Sequence, residues 1–385
     1  VISTSSAFAA VQGLLGARVF ARMLASAAGD PVPVATEIPP EAGTLVAIVP
    51  ALDEAARIGP CLDGLIAQPP ALTSIVVVDG GSSDRTRDIV RSYAARDARV
   101  RLVEAGPAPS TWNGKAWNLS CGLAATDPEA SWVVTVDADV RPNAAFAASL
   151  LAYAAGSYLD AFSAAPLLEL SSGAEAAIHP AFLATLVYRY GLPGNVARDV
   201  RSVQANGQVF IAKRATLVES GAFAAARASR CDDVTVARHL VARGRQVGFF
   251  EGSALASVRM YANVAECWTN WPRSLPMRDE STSLAALALQ FAEVALVQAL
   301  PLAVVLAILA RGGDTASPLF RVNAALAAAR LGVLAGTRRA YANPGAAYWL
   351  SAFADGPATV RLIGAAFAKD AVWRGRTLVA PRLAA

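Results

Sequence analysis

Two apolar, β-branched runs that end abruptly on carboxylates set the strongest limit on how this chain can fold. The first is Ile75-Val76-Val77-Val78, followed by Asp79-Gly80-Gly81-Ser82-Ser83-Asp84. The second is Trp132-Val133-Val134-Thr135-Val136, followed by Asp137-Ala138-Asp139. A short run that is apolar on both faces reads as a buried strand of a parallel sheet. Ligands of open α/β sheets bind beyond the carboxyl ends of such strands. The two runs therefore deliver Asp79, Asp137 and Asp139 to one rim of one sheet, a place for a cation and a phosphate-bearing ligand.

The surrounding pattern supports an α/β core over residues 41–280. Leu45 to Val49 is predicted as the opening strand, halted at Pro50. A short helix follows from about Pro60 to Ala67, with Pro60 in its first turn. Asp84 to Ala95 has helical spacing, with Ser82 or Ser83 as N-cap, and Val100 to Val103 is another strand. This alternation predicts a mostly parallel sheet flanked by helices and joined by right-handed crossovers.

The flanks differ from the core. Residues 1–40 hold an apolar stretch, Phe8 to Leu24, interrupted by Arg18 and Arg22, and then the Pro-rich linker Asp30 to Pro40. The stretch is too interrupted to span a bilayer comfortably and reads as an amphipathic helix lying on a membrane or on the protein. In the 281–385 region, Ser283 to Ala310 is nearly all apolar, broken by Gln290, Glu293, Gln298 and Pro301, and is long enough to cross a bilayer. Phe320 to Gly336 is weaker, carrying Arg321 and Arg330. The tail is expected to form a hydrophobic helical hairpin, in keeping with 55% hydrophobic residues and a mean hydropathy of +0.40.

Net charge is +4, without a Lys/Arg block, which argues against a nucleic-acid partner and suits anionic lipid headgroups. Cys61, Cys121, Cys231 and Cys267 are far apart, and the two histidines are His179 and His239. That pattern argues against a zinc site or a disulfide framework and for a reducing compartment.

Asp137 and Asp139 face the same way if the strand continues through them. Two such oxygen donors suit Mg²⁺ or Mn²⁺ with a diphosphate as co-ligand. A lone D-x-D triplet is common on protein surfaces, and its place after a buried strand is what gives it weight. Pro50-Ala51-Leu52-Asp53-Glu54 follows the first strand; its plain reading is a loop with Asp53 capping a helix. Gly80 and Gly81 allow close approach of a ligand, and Asp79 can accept hydrogen bonds from a base or ribose. Neither G-x-G-x-x-G nor a P-loop is present there.

In this order, the Pro50–Glu54, Val78–Asp84 and Asp137–Asp139 segments resemble the family 2 glycosyltransferases of GT-A fold. The resemblance spans roughly Thr44 to Arg278. It implies a nucleoside diphosphate sugar donor, with Pro50, Leu52, Glu54, Asp79, Gly80 and Gly81 around the nucleotide. Asp137 and Asp139 then lie near diphosphate and metal. Trp112-Asn113-Gly114-Lys115-Ala116-Trp117 is similar to a segment of lipid-directed branches, and Lys115 suits diphosphate charge. Arg230-Cys231-Asp232-Asp233 stands where the family has an E-D pair, which makes Asp233 the candidate base, with Asp232 next. Trp268-Thr269-Asn270-Trp271-Pro272-Arg273 lies where membrane-bound relatives carry Q-x-x-R-W, in altered form. Trp112, Trp268, Trp271 and Arg273 are thus candidates for the acceptor side. The closing segments, Trp349 to Asp355 and Trp373 to Arg376, look like bacterial hopanoid- and carotenoid-associated glycosyltransferases.

The expectation is an inverting, metal-dependent glycosyltransferase using a UDP-linked sugar at the cytoplasmic face of the inner membrane. Its acceptor is a carotenoid, a hopanoid or a similar lipid, with diacylglycerol, ceramide-like and polyprenyl-phosphate acceptors as alternatives. A processive polysaccharide synthase needs more spanning helices than this tail supplies. A nucleotidyltransferase usually shows a Gly-rich basic loop after the first strand, which Pro50 to Glu54 is not.

Overall fold

The computed structural model describes residues 3–27 and 29–368, and the backbone of 371–373 and 376–378. Strands β1 (Leu45–Ala51), β2 (Leu72–Asp79), β3 (Val100–Glu104) and β4 (Trp132–Val136) come first. They are followed by β5 (Val140–Pro142), β6 (Ala161–Ala165), β7 (Leu167–Glu169) and β8 (Asn195–Val196). Next come β9 (Val209–Lys213), β10 (Val247–Glu251), β11 (Ala256–Val258) and β12 (Tyr341–Ala342), and a separate two-stranded sheet pairs β13 (Ala371–Trp373) with β14 (Arg376–Leu378). The main sheet has the order β3-β2-β1-β4-β9-β6-β10-β8. Its β3-β2-β1-β4 half is parallel, and β9 runs antiparallel to both β4 and β6. The parallel α/β half is as the sequence predicts.

Both faces of this sheet are covered, which is why its strands read as unbroken apolar runs. Alternate residues of β1 feed two cores. Leu45, Ala47 and Val49 pack with Ile58, Leu62 and Leu65 of helix α2 (Ile58–Ile66). Val46 and Ile48 pack on the other face with Leu119, Val234 and Leu240. The helices after α2 are α3 (Thr86–Ala94), α4 (Gly114–Ala124), α5 (Phe146–Gly156) and α6 (Gly173–Tyr190). The long N-terminal helix is α1 (Thr4–Ser26).

Two local expectations shift. Pro50 does not end β1: the strand stays paired with β2 to Ala51 but with β4 only to Ile48. A missing N–H is tolerated where one neighbouring strand has already diverged. Helix α3 begins at Thr86 rather than Asp84, because Asp84 turns its carboxylate to the amides of Thr86 and Ala55.

The chain continues through α7 (Arg214–Ser220), α8 (Ala222–Ala225), α9 (Asp232–Val241) and α10 (Val264–Asn270). A helical bundle follows, made of α11 (Leu284–Glu293), α12 (Leu300–Ala310), α13 (Pro318–Thr337) and α14 (Asp355–Phe367). A π-helical turn, Val294–Ala299, joins α11 and α12 into one long rod. Three helices are long and apolar enough to cross a membrane: Thr4–Ser26, Leu284–Ala310 and Pro318–Ala340.

The first of these lies on the protein, one of the two expected placements, and is also long and apolar enough to cross a bilayer. Arg18 and Arg22 both reach Glu293, at 2.7 and 3.1 Å, so the charges that interrupt α1 are matched by the bundle. Gln12 and Asn323 exchange side-chain hydrogen bonds at 3.0 and 2.9 Å, and Gln12 also donates to the carbonyl of Leu296 in the π-turn. Polar groups on membrane helices pair with one another inside the bundle in this way. The two ends of the chain therefore pack as one helical unit. After α13, β12 joins β7 in a second small sheet of order β12-β7-β11-β5, which ties that unit to the core.

Candidate active site

A cavity of about 830 Å³ opens at the carboxyl end of β4. The strand stops at Val136, and Asp137-Ala138-Asp139 form a turn closed by the Val140 N–H on the Asp137 carbonyl at 3.0 Å. Strand alternation is thus not what presents the two carboxylates; a β-turn does, and both still line the cavity. Opposite them, Lys115 stands in the first turn of α4, with its Nζ 2.8 Å from Asp137 and 3.8 Å from Asp232. Asn113 fixes that approach. Its backbone N–H donates to Arg227 and its side chain to the Ser229 carbonyl, so the start of α4 is tied to the loop that leads into α9.

Asp232 and Asp233 open α9, where exposed helix N–H groups favour negative charge. The Asp233 carboxylate accepts from the Gly207 N–H at 2.7 Å and from the Val234 N–H at 2.9 Å. Gly207 lies so close that a Cβ there would stand 2.9 Å from Lys115 Nζ and 3.2 Å from Asp233 Cβ. The next residue, Gln208, accepts the Asp137 N–H through its carbonyl at 3.1 Å. The Asn206-Gly207-Gln208 turn thus holds Asp233 with Gly207 and the D-x-D turn with Gln208. Sequence reading does not single out Gly207; a glycine just before an apolar strand was its one visible mark.

Electrostatics divide the cavity. Burial would strip the proton from Lys115, but Asp137, Asp232 and Asp233 outweigh it and raise its pKa, keeping the ammonium charged. Burial also raises Asp137, against the opposing pull of Lys115. Asp139 is pushed up to about 7 by burial, then by Asp137 and Glu54. Asp233 is raised to about 6 by burial and by its neighbour Asp232. The wall at Asp139 carries more negative charge than Lys115 and Arg57 balance, and a divalent cation fits such a donor set. Among the described residues, no group of three His, Cys, Asp or Glu side chains could hold a metal ion. A cation held by Asp137 and Asp139 would therefore need donor oxygens from its ligand.

The two early loops are laced together beside this wall. Asp53, at φ 53°, accepts from the Ser83 and Asp84 N–H groups, while Ser82 and Thr86 accept from the Asp53 and Glu54 N–H groups. Asp53 therefore bridges loops and is not a helix N-cap; α2 begins later, at Ile58. Pro50, Leu52 and Glu54 line the cavity, and Glu54 pairs with Arg57 at 2.9 Å. Asp79 is placed differently: it is 1% exposed, and its carboxylate accepts from the Gly81 and Ser82 N–H groups of its own turn. Asp79 and Gly80 are buried and Gly81 is exposed, and none of the three lines the cavity.

On the far side, Trp271 and Arg273 line the cavity. Trp271 lies against buried His179, ring centroids 3.9 Å apart, and His179 Nδ1 is 2.9 Å from Tyr341 Oη. Burial lowers the His179 pKa to about 3, so the ring is neutral. Trp268 packs on Phe182, and Trp112 meets Trp117 edge-on at 5.4 Å; neither reaches the cavity. His239 Nε2 donates to the Ser220 carbonyl at 2.8 Å and its Nδ1 accepts from Arg243 at 3.0 Å, as expected of a packed helix residue. The tail residues Trp373, Arg374 and Arg376 lie outside the residues whose side chains are described.

Residues 46–183 match the model of glycosyl transferase family 2. No curated protein sequence matches the chain. Among solved structures, the mannosyltransferase PcManGT from Pyrobaculum calidifontis, in complex with GDP-Man and Mn²⁺, is similar at 19% identity and a TM-score of 0.52. The similarity covers 92% of this chain and 99% of that one. Glucosyl-3-phosphoglycerate synthase from Mycobacterium tuberculosis, solved with Mn²⁺ and UDP, is similar at 17% identity and a TM-score of 0.39, over 67% of this chain and 82% of that one. The matched span holds β1 to β4, the early loops and the D-x-D turn, on a GT-A fold shared along almost the whole chain, and the protein is a glycosyltransferase.

Proposed function

We propose that this enzyme is inverting and metal-dependent, and moves a sugar from a nucleoside diphosphate sugar, UDP-linked, to a lipid acceptor at the cytoplasmic face of the inner membrane. One observation carries the reading. A single cavity has Asp137 and Asp139 on one wall, Asp232 and Asp233 on another, and Lys115 between them.

Asp137 and Asp139 would hold Mg²⁺ or Mn²⁺, and the bound ion would neutralise charge on the diphosphate. Lys115 is a fixed ammonium beside the same wall and offsets the charge that grows on the diphosphate as the glycosidic bond breaks. Asp233 takes the proton of the acceptor hydroxyl as its oxygen forms the new bond to the anomeric carbon; the diphosphate leaves with the old bonding pair. Its raised proton affinity suits a base working near neutrality. Trp271, backed by His179, offers an aromatic face to a sugar or the neck of a lipid. The three apolar helices supply the membrane contact. The resemblance of residues 349–376 to hopanoid- and carotenoid-associated enzymes favours acceptors of that kind over diacylglycerol, ceramide-like or phosphorylated lipids.

Calorimetric titration of UDP with and without Mn²⁺ tests the donor half of this reading. The wild type should bind UDP more tightly with Mn²⁺, and Asp139→Asn should lose that gain. Equal UDP affinity in all four titrations would contradict it.

A further inference from the structure

The Asp232–Asp233 pair is held from a second side, by a carboxylate outside the cavity. Asp279 is buried in the loop that leads into α11 and pairs with Arg238 of α9 at 3.1 Å. Both of its oxygens are engaged. One accepts from the Ser281 N–H at 2.9 Å and from the Ser281 and Thr282 hydroxyls at 2.6 and 3.2 Å. The other accepts from Arg238 and, at 3.3 Å, from the hydroxyl of Thr235.

Thr235 stands in the first turn of α9, just after Asp232 and Asp233. A hydroxyl has one proton to donate. Thr235 gives its proton to Asp279, so its 2.7 Å contact with Ser229 runs from the Ser229 hydroxyl to Thr235 Oγ1. Ser229 Oγ in turn accepts the Cys231 N–H at 3.0 Å. A chain of one polarity therefore runs from the backbone just before Asp232, through Ser229 and Thr235, to the Asp279 carboxylate. Hydrogen bonds linked head to tail and ending on a charge strengthen one another.

The loop itself is pinned. Ser274, Leu275 and Met277 line the cavity, and their carbonyls accept from Cys231 Sγ, Arg189 and Arg238 respectively. Met277 sits at φ 50°, a left-handed conformation that a residue with a side chain keeps only where its surroundings fix it. Replacing a buried ion pair by apolar side chains of similar volume is often neutral for stability, so stability alone does not account for Arg238–Asp279. Thr235, Arg238 and Asp279 do not line the cavity, so they act on a bound substrate only through the residues they hold.

We infer that Asp279, acting through Thr235 and Ser229, is a positioning residue for Asp232 and Asp233. It fixes the first turn of α9, and with it the direction from which Asp233 takes the acceptor proton; Arg238 holds Asp279 in place. The inference rests on the reading of Asp233 as the base and adds what sets its aim.

The test uses the full chain in lipid nanodiscs with Mn²⁺, a bacterial membrane lipid extract as acceptor, and UDP-glucose, UDP-galactose, UDP-N-acetylglucosamine and GDP-mannose as donor probes. Thr235→Val keeps the outline of the side chain and removes the hydroxyl, whereas Thr235→Ser keeps the hydroxyl. Thr235→Val should lower kcat by about tenfold or more, while its calorimetric Kd for UDP with Mn²⁺ stays within about twofold of wild type. Thr235→Ser should keep kcat within about threefold of wild type. Arg238→Met combined with Asp279→Leu removes both buried charges together; it should keep most of the thermal midpoint and still lose kcat by about tenfold. In an Asp233→Asn background, adding Thr235→Val should cost less than about twofold more, because the group it positions is gone. Wild-type kcat in Thr235→Val or in the Arg238–Asp279 double variant would overturn the inference, as would equal losses in Thr235→Ser and Thr235→Val. So would a full repeat of the Thr235→Val loss in the Asp233→Asn background. Wild-type turnover in Asp233→Asn alone, or a wild-type chain that consumes none of the donors, would instead overturn the reading beneath it.

Discussion

Among single residues, Asp233 and the turn that holds it are the most exposed to test. Asp233→Asn should lower kcat by about a hundred- to ten-thousand-fold, the usual weight of a general base; turnover near wild type would remove Asp233 from that role. The pH dependence has a definite sign. A carboxylate acting as base works ionised, and burial with Asp232 nearby raises the Asp233 pKa to about 6. Activity should therefore be flat above that pH and fall about tenfold per unit below it. The falling limb should be absent from the residual activity of Asp233→Asn; its persistence there would assign it to another group. Gly207→Ala places a methyl against Lys115 and Asp233 and should cut kcat by about tenfold or more, since a shift of about 1 Å at a reacting centre is costly. An alanine variant with wild-type kcat would show that the turn does not position them. Asp137, Asp139, Lys115 and the Asp232–Asp233 pair were legible because each sits in a local pattern: a strand end, a helix start, an acidic first turn. Gly207 was not, because its role is contact with residues more than twenty positions away. Asp79 was legible as a strand-terminal carboxylate, but no local pattern tells that its oxygens face its own loop.

At the scale of elements, the parallel strands were readable from their apolar runs and the helices of the tail from their length. What the sequence hides is who pairs with whom. Arg18, Arg22 and Glu293 look like flaws in two apolar stretches, yet they are one ionic cluster across the bundle. Likewise Arg330 of α13 and Asp355 at the start of α14 form a buried pair at 2.7 Å, with Gln298 donating to the same carboxylate. Breaking a buried pair by removing one partner is strongly destabilising, by about 3–5 kcal/mol, because the other charge is left uncompensated. Arg330→Met should thus lower the thermal midpoint in detergent sharply, and adding Asp355→Leu should recover much of it. An unshifted midpoint in Arg330→Met would show that the pair does not hold α13 to α14.

At the scale of the whole molecule, the two ends of the chain and the core are joined into one device: α1 and α13 form one helical unit, and the cavity runs from that unit to the D-x-D turn. The enzyme should sediment with membranes and need detergent for release; a fully soluble, active chain without detergent would contradict the membrane placement. The central claim is the direct displacement of a nucleoside diphosphate by an acceptor oxygen, with a carboxylate base on the face opposite the leaving group. It is tested most directly by the anomeric configuration of the product, read by NMR after incubating the full chain with an α-linked UDP-sugar, Mn²⁺ and a membrane lipid extract. An inverting transfer gives a β-linked glycolipid whose formation is lost in Asp233→Asn; an α-linked product would contradict it.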